Sequence, residues 1–133
     1  MQNLRPDNTG RAWNLSATVA AAFACVCLAY VLTDAAHKFF DLYRDLGVPA
    51  NQAGVAANCA ELFKSWNVFD LGIALACVPV LTWVLMNRNR TAAATINFAI
   101  AAICGCVATL EYWSLWQPVR SVIHSLQSGA AGH

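Results

Sequence analysis

The sequence predicts an all-α integral membrane protein: three transmembrane helices, with a helical hairpin inserted between the first and the second. Three observations carry that expectation. Apolar residues make up 59% of the chain and charged residues 11%, against about 25% charged in ordinary soluble domains. Three apolar runs each approach the roughly 20 residues a helix needs to cross a hydrocarbon core. The stretch between the first two runs turns amphipathic with the period of a helix. The 133 residues are expected to form one membrane domain. A net charge of +1 offers no field that would attract nucleic acid.

The spans are AWNLSATVAAAFACVCLAYVL (residues 12–32), VFDLGIALACVPVLTWVLM (68–86) and TAAATINFAIAAICGCVATLEYW (91–113). In a bilayer every backbone amide must be paired within the chain, and a helix does this for an isolated run. The first run competes with a signal-peptide reading, in which Arg5 and Arg11 form the basic head and Thr33-Asp34-Ala35 the cleavage site. Its apolar core is longer than a signal core, so it is read as a span. Pro79 removes one backbone hydrogen bond in the second span and predicts a bend there.

Asp70 and Glu111 are the only carboxylates in the spans, each three residues from a span end. Near the interface they stay hydrated or meet Arg120 or Lys64. No ionisable group falls at mid-span, which argues against a pump or an ion-coupled transporter. Five of the six cysteines, Cys25, Cys27, Cys77, Cys104 and Cys106, sit in apolar runs and read as small hydrophobes. The Cys-x-Cys pairs cannot chelate from one helix, because residues two apart point about 200° apart. A soft-metal site would need thiolates from two helices.

Two small-residue stripes are expected to pack against each other or against a partner: Asn97, Ala101, Gly105 and Thr109 on the third span, and Ala17, Ala21, Cys25 and Ala29 on the first. Small residues let backbones approach, and an amide can hydrogen-bond across the interface. Arg5 and Arg11 in the amino tail and Arg88 and Arg90 in the tight MNRNR loop favour the amino end inside and the carboxyl end outside. Lys38, Arg44, Lys64 and Arg120 oppose them at lower density. Trp13, Trp66, Trp113 and Trp116 lie near span ends, as interfacial aromatics do.

The insert (33–67) carries the most pattern. No Gly or Pro interrupts residues 12–46, so the first helix is expected to leave the membrane and run to Leu46. Phe39, Leu42, Tyr43 and Leu46 share its apolar face. Lys38, Asp41, Arg44 and Asp45 share the other, with Lys38 and Asp41 spaced to pair. Gly47 supplies a left-handed stop and Pro49 blocks resumption. A second helix is expected from about Asn51 to Ser65, with Val55, Cys59, Leu62, Phe63 and Trp66 on its apolar face, and Asn67 capping the next span. Glu61 and Lys64 point outward. The two apolar stripes are expected to cover each other and to receive a partner. The tail (114–133) reads as an amphipathic helix with Pro118 in its first turn and Leu115, Val119, Val122, Ile123 and Leu126 on one side.

The run Leu42-Tyr43-x-x-Leu46-Gly47-Val48-Pro49, followed by a short helix, an aromatic residue and a span, resembles the type II secretion system F-domain. The resemblance covers about residues 39–86. It implies a structural, non-enzymatic role of the kind played by polytopic platform proteins, and it carries over no active site. Ala50, Asn51 and Gln52 stand where that family has a threonine soon after the proline. The family's domain faces the cytoplasm, whereas the charge distribution here places the insert outside.

The sequence holds no phosphate-binding glycine loop, no His-Glu-x-x-His and no nucleophile elbow, so catalytic, cofactor and metal residues are all expected to be absent. His37 shares a helical face with Asp34 and Asp41, which reads as a solvated surface cluster. The expected function is that of a small accessory or scaffold subunit of a larger integral-membrane assembly, in a bacterial inner membrane. Its partners would be other membrane subunits and lipid, with no small-molecule substrate. The partner-binding residues would be Phe39, Leu42, Tyr43, Leu46, Phe63, Trp66, Asn97, Ala101, Gly105 and Thr109. The alternatives are a stand-alone immunity-type inhibitor and a self-associating pore former.

Overall fold

A computed structural model describes residues 8–49, 52, 54–63 and 65–130. Among them every regular element is helical. They are α1 (Asn8–Tyr30), a π-helical turn (Val31–Ala35), α2 (Ala36–Asp45), α3 (Val55–Leu62), α4 (Val68–Leu85) and α5 (Arg90–Ala130). Three helical stretches are long and apolar enough to cross a membrane: Thr9–Asp45, Val68–Leu85 and Arg90–Ser128. The first, 37 residues long, would measure about 55 Å at about 1.5 Å per residue. That exceeds a core of about 30 Å, so the stretch is longer than one crossing needs.

α1 is the hub. It packs against both α4 and α5, which touch each other little. That role explains why its small-residue stripe is wholly covered: Ala17, Ala21, Cys25 and Ala29 are all buried. Gly72 of α4 sits against α1, where an added Cβ would meet the Ala29 Cβ at 3.8 Å. α1 and α5 run parallel. Thr18 meets Asn97 and Cys25 meets Cys104, both at a sequence offset of 79.

On α5 the covered face is Ala93, Ala94, Asn97 and Ala108, with Ala101 and Cys104 half-buried. The expected stripe is therefore only partly the packed one. Asn97 is buried, Ala101 and Gly105 are half-covered, and Thr109 is exposed. Positions four apart advance about 400° around a helix, so each step drifts about 40°. By Thr109 the stripe has rotated off the contact, which instead follows alternating steps of four and three.

α2 ends as expected. Gly47 has φ +67°, Val48 N–H donates to the Tyr43 carbonyl (2.8 Å) and Gly47 N–H to that of Arg44 (3.2 Å). This is a Schellman cap, completed by Val48 packing beside Tyr43. Asn67 caps α4, its Oδ1 accepting from the Phe69 N–H at 2.9 Å.

Four features differ from expectation. The first helix is interrupted by the π turn, so two α-helical segments abut it. The second insert helix is shorter than expected, Val55–Leu62, and its expected start at Asn51 and the Lys64 side chain lie outside the described residues. The tail is no separate element, because α5 runs unbroken through Pro118. Among the described residues the ion pairs are Lys38–Asp34 (2.7 Å) and Arg44–Asp41 (3.0 Å), not Lys38–Asp41. An acid four residues before its lysine has the favoured helical geometry.

Candidate functional site

Polar junctions hold the helices together, and cavities open at opposite ends of the bundle. The first junction joins all three long helices. Asn97 Nδ2 donates to Thr18 Oγ1 at 2.9 Å and to the Pro79 carbonyl at 3.3 Å, and Thr18 Oγ1 donates to the Asn14 carbonyl at 2.8 Å. Asn97 is fully buried. Pro79 lacks an N–H, which frees the carbonyl one turn earlier and loosens α4 at this level. Asn97 thus ties α5 to α1 and, at the proline, to α4. The Oδ1 atoms of Asn14 and Asn97 are buried without a partner among the described residues.

The second junction covers the apolar face of α2. Tyr43 is buried and its hydroxyl donates to the Leu115 carbonyl of α5. Pro118 leaves the Ser114 carbonyl without its intrahelical donor and opens α5 beside that acceptor. Phe39 stacks edge-on against Tyr112 (5.6 Å between centroids) and Trp116 (6.0 Å). Ala36, Tyr43, Leu115 and Val119 form one buried cluster, with Phe39, Phe40 and Val48 against it. The stripe of α2 is therefore covered chiefly by the tail half of α5. α3 instead leans Cys59 and Phe63 onto the cluster of Leu28, Leu32, Leu71 and Ala108.

At this second junction the sequence offset between the two parallel helices has fallen to 72. The α1–α2 side spends seven more residues than α5 over the same contact line, measured from Cys25/Cys104 to Tyr43/Leu115. The π turn fits extra residues into a turn. Within it Thr33 Oγ1 donates to the Ala29 carbonyl at 2.7 Å, and His37 Nδ1 lies 2.6 Å from the Thr33 carbonyl. A backbone carbonyl that takes a side-chain donor bends a helix locally. The π turn thus lies between the Cys25–Cys104 and Tyr43–Leu115 contacts and takes up part of this difference.

The remaining residues fall as follows. Leu42 and Leu46 are exposed on α2, as are Leu62 and Trp66 around α3. Asp34 and Asp41 are each paired with a cation and His37 is turned to a carbonyl, so that face offers no shared cation cradle. No group of three or more metal-ligating side chains forms among the described residues. Cys25 and Cys104 do meet across two helices, Sγ to Sγ 3.8 Å, a pairing that spacing within one helix cannot reveal. Burial pushes the Cys59 thiol up from its ordinary pKa, helped by the nearby Glu111 carboxylate. Glu111 therefore meets Cys59.

One cavity, about 430 Å³, is lined by Thr33, Asp34, His37, Ser65, Trp66 and Asn67 beside the π turn. At the other end of the bundle a cavity of about 200 Å³ is lined by Arg11, Asn14, Trp83, Val84, Asn87 and Arg90. Neither site was legible in the sequence: the second joins the start of α1 to both sides of the α4–α5 loop, residues nearly 80 positions apart. Comparison of the chain with protein-family models, with characterised proteins and with solved structures finds no match.

Proposed function

We propose that this chain is a non-enzymatic accessory or scaffold subunit of a larger integral-membrane assembly. The observation that carries the reading is the apolar surface left open on the insert. Leu42, Leu46, Leu62 and Trp66 remain exposed, on segments beyond the first span, after Phe39 and Tyr43 have been covered from within. An apolar patch outside the hydrocarbon core marks a site of association. The polar groups at the two junctions already serve helix packing: Asn97 and Thr18 bond each other, and Tyr43 bonds a backbone carbonyl. The half-covered stripe of Ala101 and Gly105 supplies a second face, since an added Cβ at Gly105 would meet nothing within 4 Å in the chain.

In this reading the insert, with its Schellman turn and short following helix, acts as the F-domain-like element of a platform. The amino end and the α4–α5 loop lie on the cytoplasmic side of a bacterial inner membrane, and the insert and α5 tail lie on the outer side. Photo-crosslinking amino acids placed at Leu42, Leu46 and Leu62 in native membranes test the proposal. Adducts to one larger membrane protein, in near-stoichiometric yield, are expected. Adducts to lipid alone refute it, and adducts only to a second copy favour a self-associating protein.

A further inference from the structure

The cavity between the start of α1 and the α4–α5 loop, with the groove beside it, has the layout of an amphipathic ligand site. Its polar part presents two guanidinium groups, Arg11 and Arg90, and two amides, Asn14 and Asn87. Among the described residues no carboxylate lines it and neither arginine has an ion-pair partner. Asn14 is 1% exposed, and its Oδ1 has no hydrogen-bond partner among them. An orphaned amide oxygen at that depth is costly unless a donor arrives. Arg11 and Trp83 also line an adjoining groove of about 490 Å³ with Ala12 and Leu15. That second part is apolar apart from the guanidinium. Leu15, Trp83 and Val84 are exposed, so the groove opens toward the lipid-facing sides of α1 and α4.

We propose that this cavity binds the headgroup of one anionic phospholipid, a phosphate diester carrying a free hydroxyl, with an acyl chain in the Leu15–Trp83 groove. Arg11 and Arg90 neutralise the phosphate by charge-assisted hydrogen bonds. The headgroup hydroxyl donates to Asn14 Oδ1 and removes the orphan. The apolar groove is what selects a lipid over soluble phosphate. Basic pockets between transmembrane helices recognise headgroups in this way. The site needs only its own residues, so it stands independently of any protein partner.

Native mass spectrometry of the full-length protein, released from detergent and titrated with phosphatidylglycerol, phosphatidylcholine or inorganic phosphate, tests this. A single saturable phosphatidylglycerol adduct is expected, at least tenfold tighter than phosphatidylcholine and unaffected by millimolar phosphate. Arg11→Gln and Arg90→Gln should each weaken it about fivefold, from about 1 kcal/mol per basic group. Asn14→Leu should weaken it by a similar factor through the lost hydrogen bond. Arg88→Gln removes the same charge from the same loop but does not line the cavity, and should leave affinity unchanged. Equal weakening by Arg88→Gln overturns the proposal in favour of diffuse charge attraction. Equal binding of both lipids also overturns it, and so does displacement by phosphate, which would assign the site to a soluble anion. Circular dichroism and a single monodisperse detergent complex establish that each variant is folded; if Asn14→Leu is not, the arginine trio decides.

Discussion

The hydrogen bond from Asn97 to Thr18 gives the sharpest test of how the three spans hold together. Asn97 has no solvent contact and makes two interhelical hydrogen bonds, to Thr18 Oγ1 and to the Pro79 carbonyl. Interhelical hydrogen bonds in membranes average about 0.6 kcal/mol and reach about 1.7 kcal/mol. Asn97→Ala therefore loses about 1 kcal/mol in hydrogen bonding. The void adds more: about 30 Å³, one water's share of liquid, costs roughly 0.7 kcal/mol at about 24 cal/mol per Å³. Removing the unpartnered Oδ1 offsets part of this, so the single variant understates the contact. A double-mutant cycle of Asn97→Ala with Thr18→Val cancels the void and the orphan, because both terms belong to Asn97 alone. The expected coupling is about 0.6 kcal/mol or somewhat above, measured by equilibrium unfolding in bicelles. Asn97→Asp replaces both donors with a carboxylate facing a hydroxyl and a carbonyl. It should cost about 3 kcal/mol, the penalty for a charge at membrane depth. A coupling indistinguishable from zero, together with an Asn97→Asp variant as stable as the parent, would refute the polar junction.

Other outcomes follow from the same geometry. Tyr43→Phe loses the bond to the Leu115 carbonyl but keeps the ring, and should cost about 1 kcal/mol, whereas Tyr43→Ala should cost about 3–5 kcal/mol and expose the α5 tail to protease. Under a mild oxidant Cys25 and Cys104, 3.8 Å apart, should form an intrachain disulfide seen as a gel shift; loss of the shift in Cys25→Ser but not in Cys27→Ser checks the parallel pairing of α1 and α5. Gly54, with φ 59° and ψ −126°, occupies a region essentially reserved for glycine, so Gly54→Ala should destabilise by about 1–3 kcal/mol in thermal melts. Gly47→Ala, at φ +67° in the left-handed region, should cost about 1 kcal/mol.

Much of the architecture was legible because bilayer physics reads straight from composition. A run of about 20 apolar residues has one cheap solution in hydrocarbon. Gly47 and Asn67 announce their caps because only a few residue types suit those positions. The buried stripe of α1 was legible for a different reason: a hub helix is covered on two sides, so a drifting four-residue repeat stays inside. The same repeat on α5 misled, since the steps of four drift out of the covered face and leave Thr109 exposed.

Hydropathy and turn residues alone thus determined the three helices long and apolar enough to cross a membrane, and the stop of the first at Gly47. The tertiary structure decided what covers Phe39 and Tyr43. No Gly or Pro marks the π turn at Val31–Ala35, which lies where the offset between the two parallel helices changes from 79 to 72. The tail half of α5 was amphipathic in sequence, but its partner lay 72 residues away. The basic cavity has the same origin. Arg11 and Arg90 are ordinary interfacial arginines until α1 and α5 pack in parallel and bring their amino-terminal ends together around Asn14, a juxtaposition that depends on pairing rather than on any local preference.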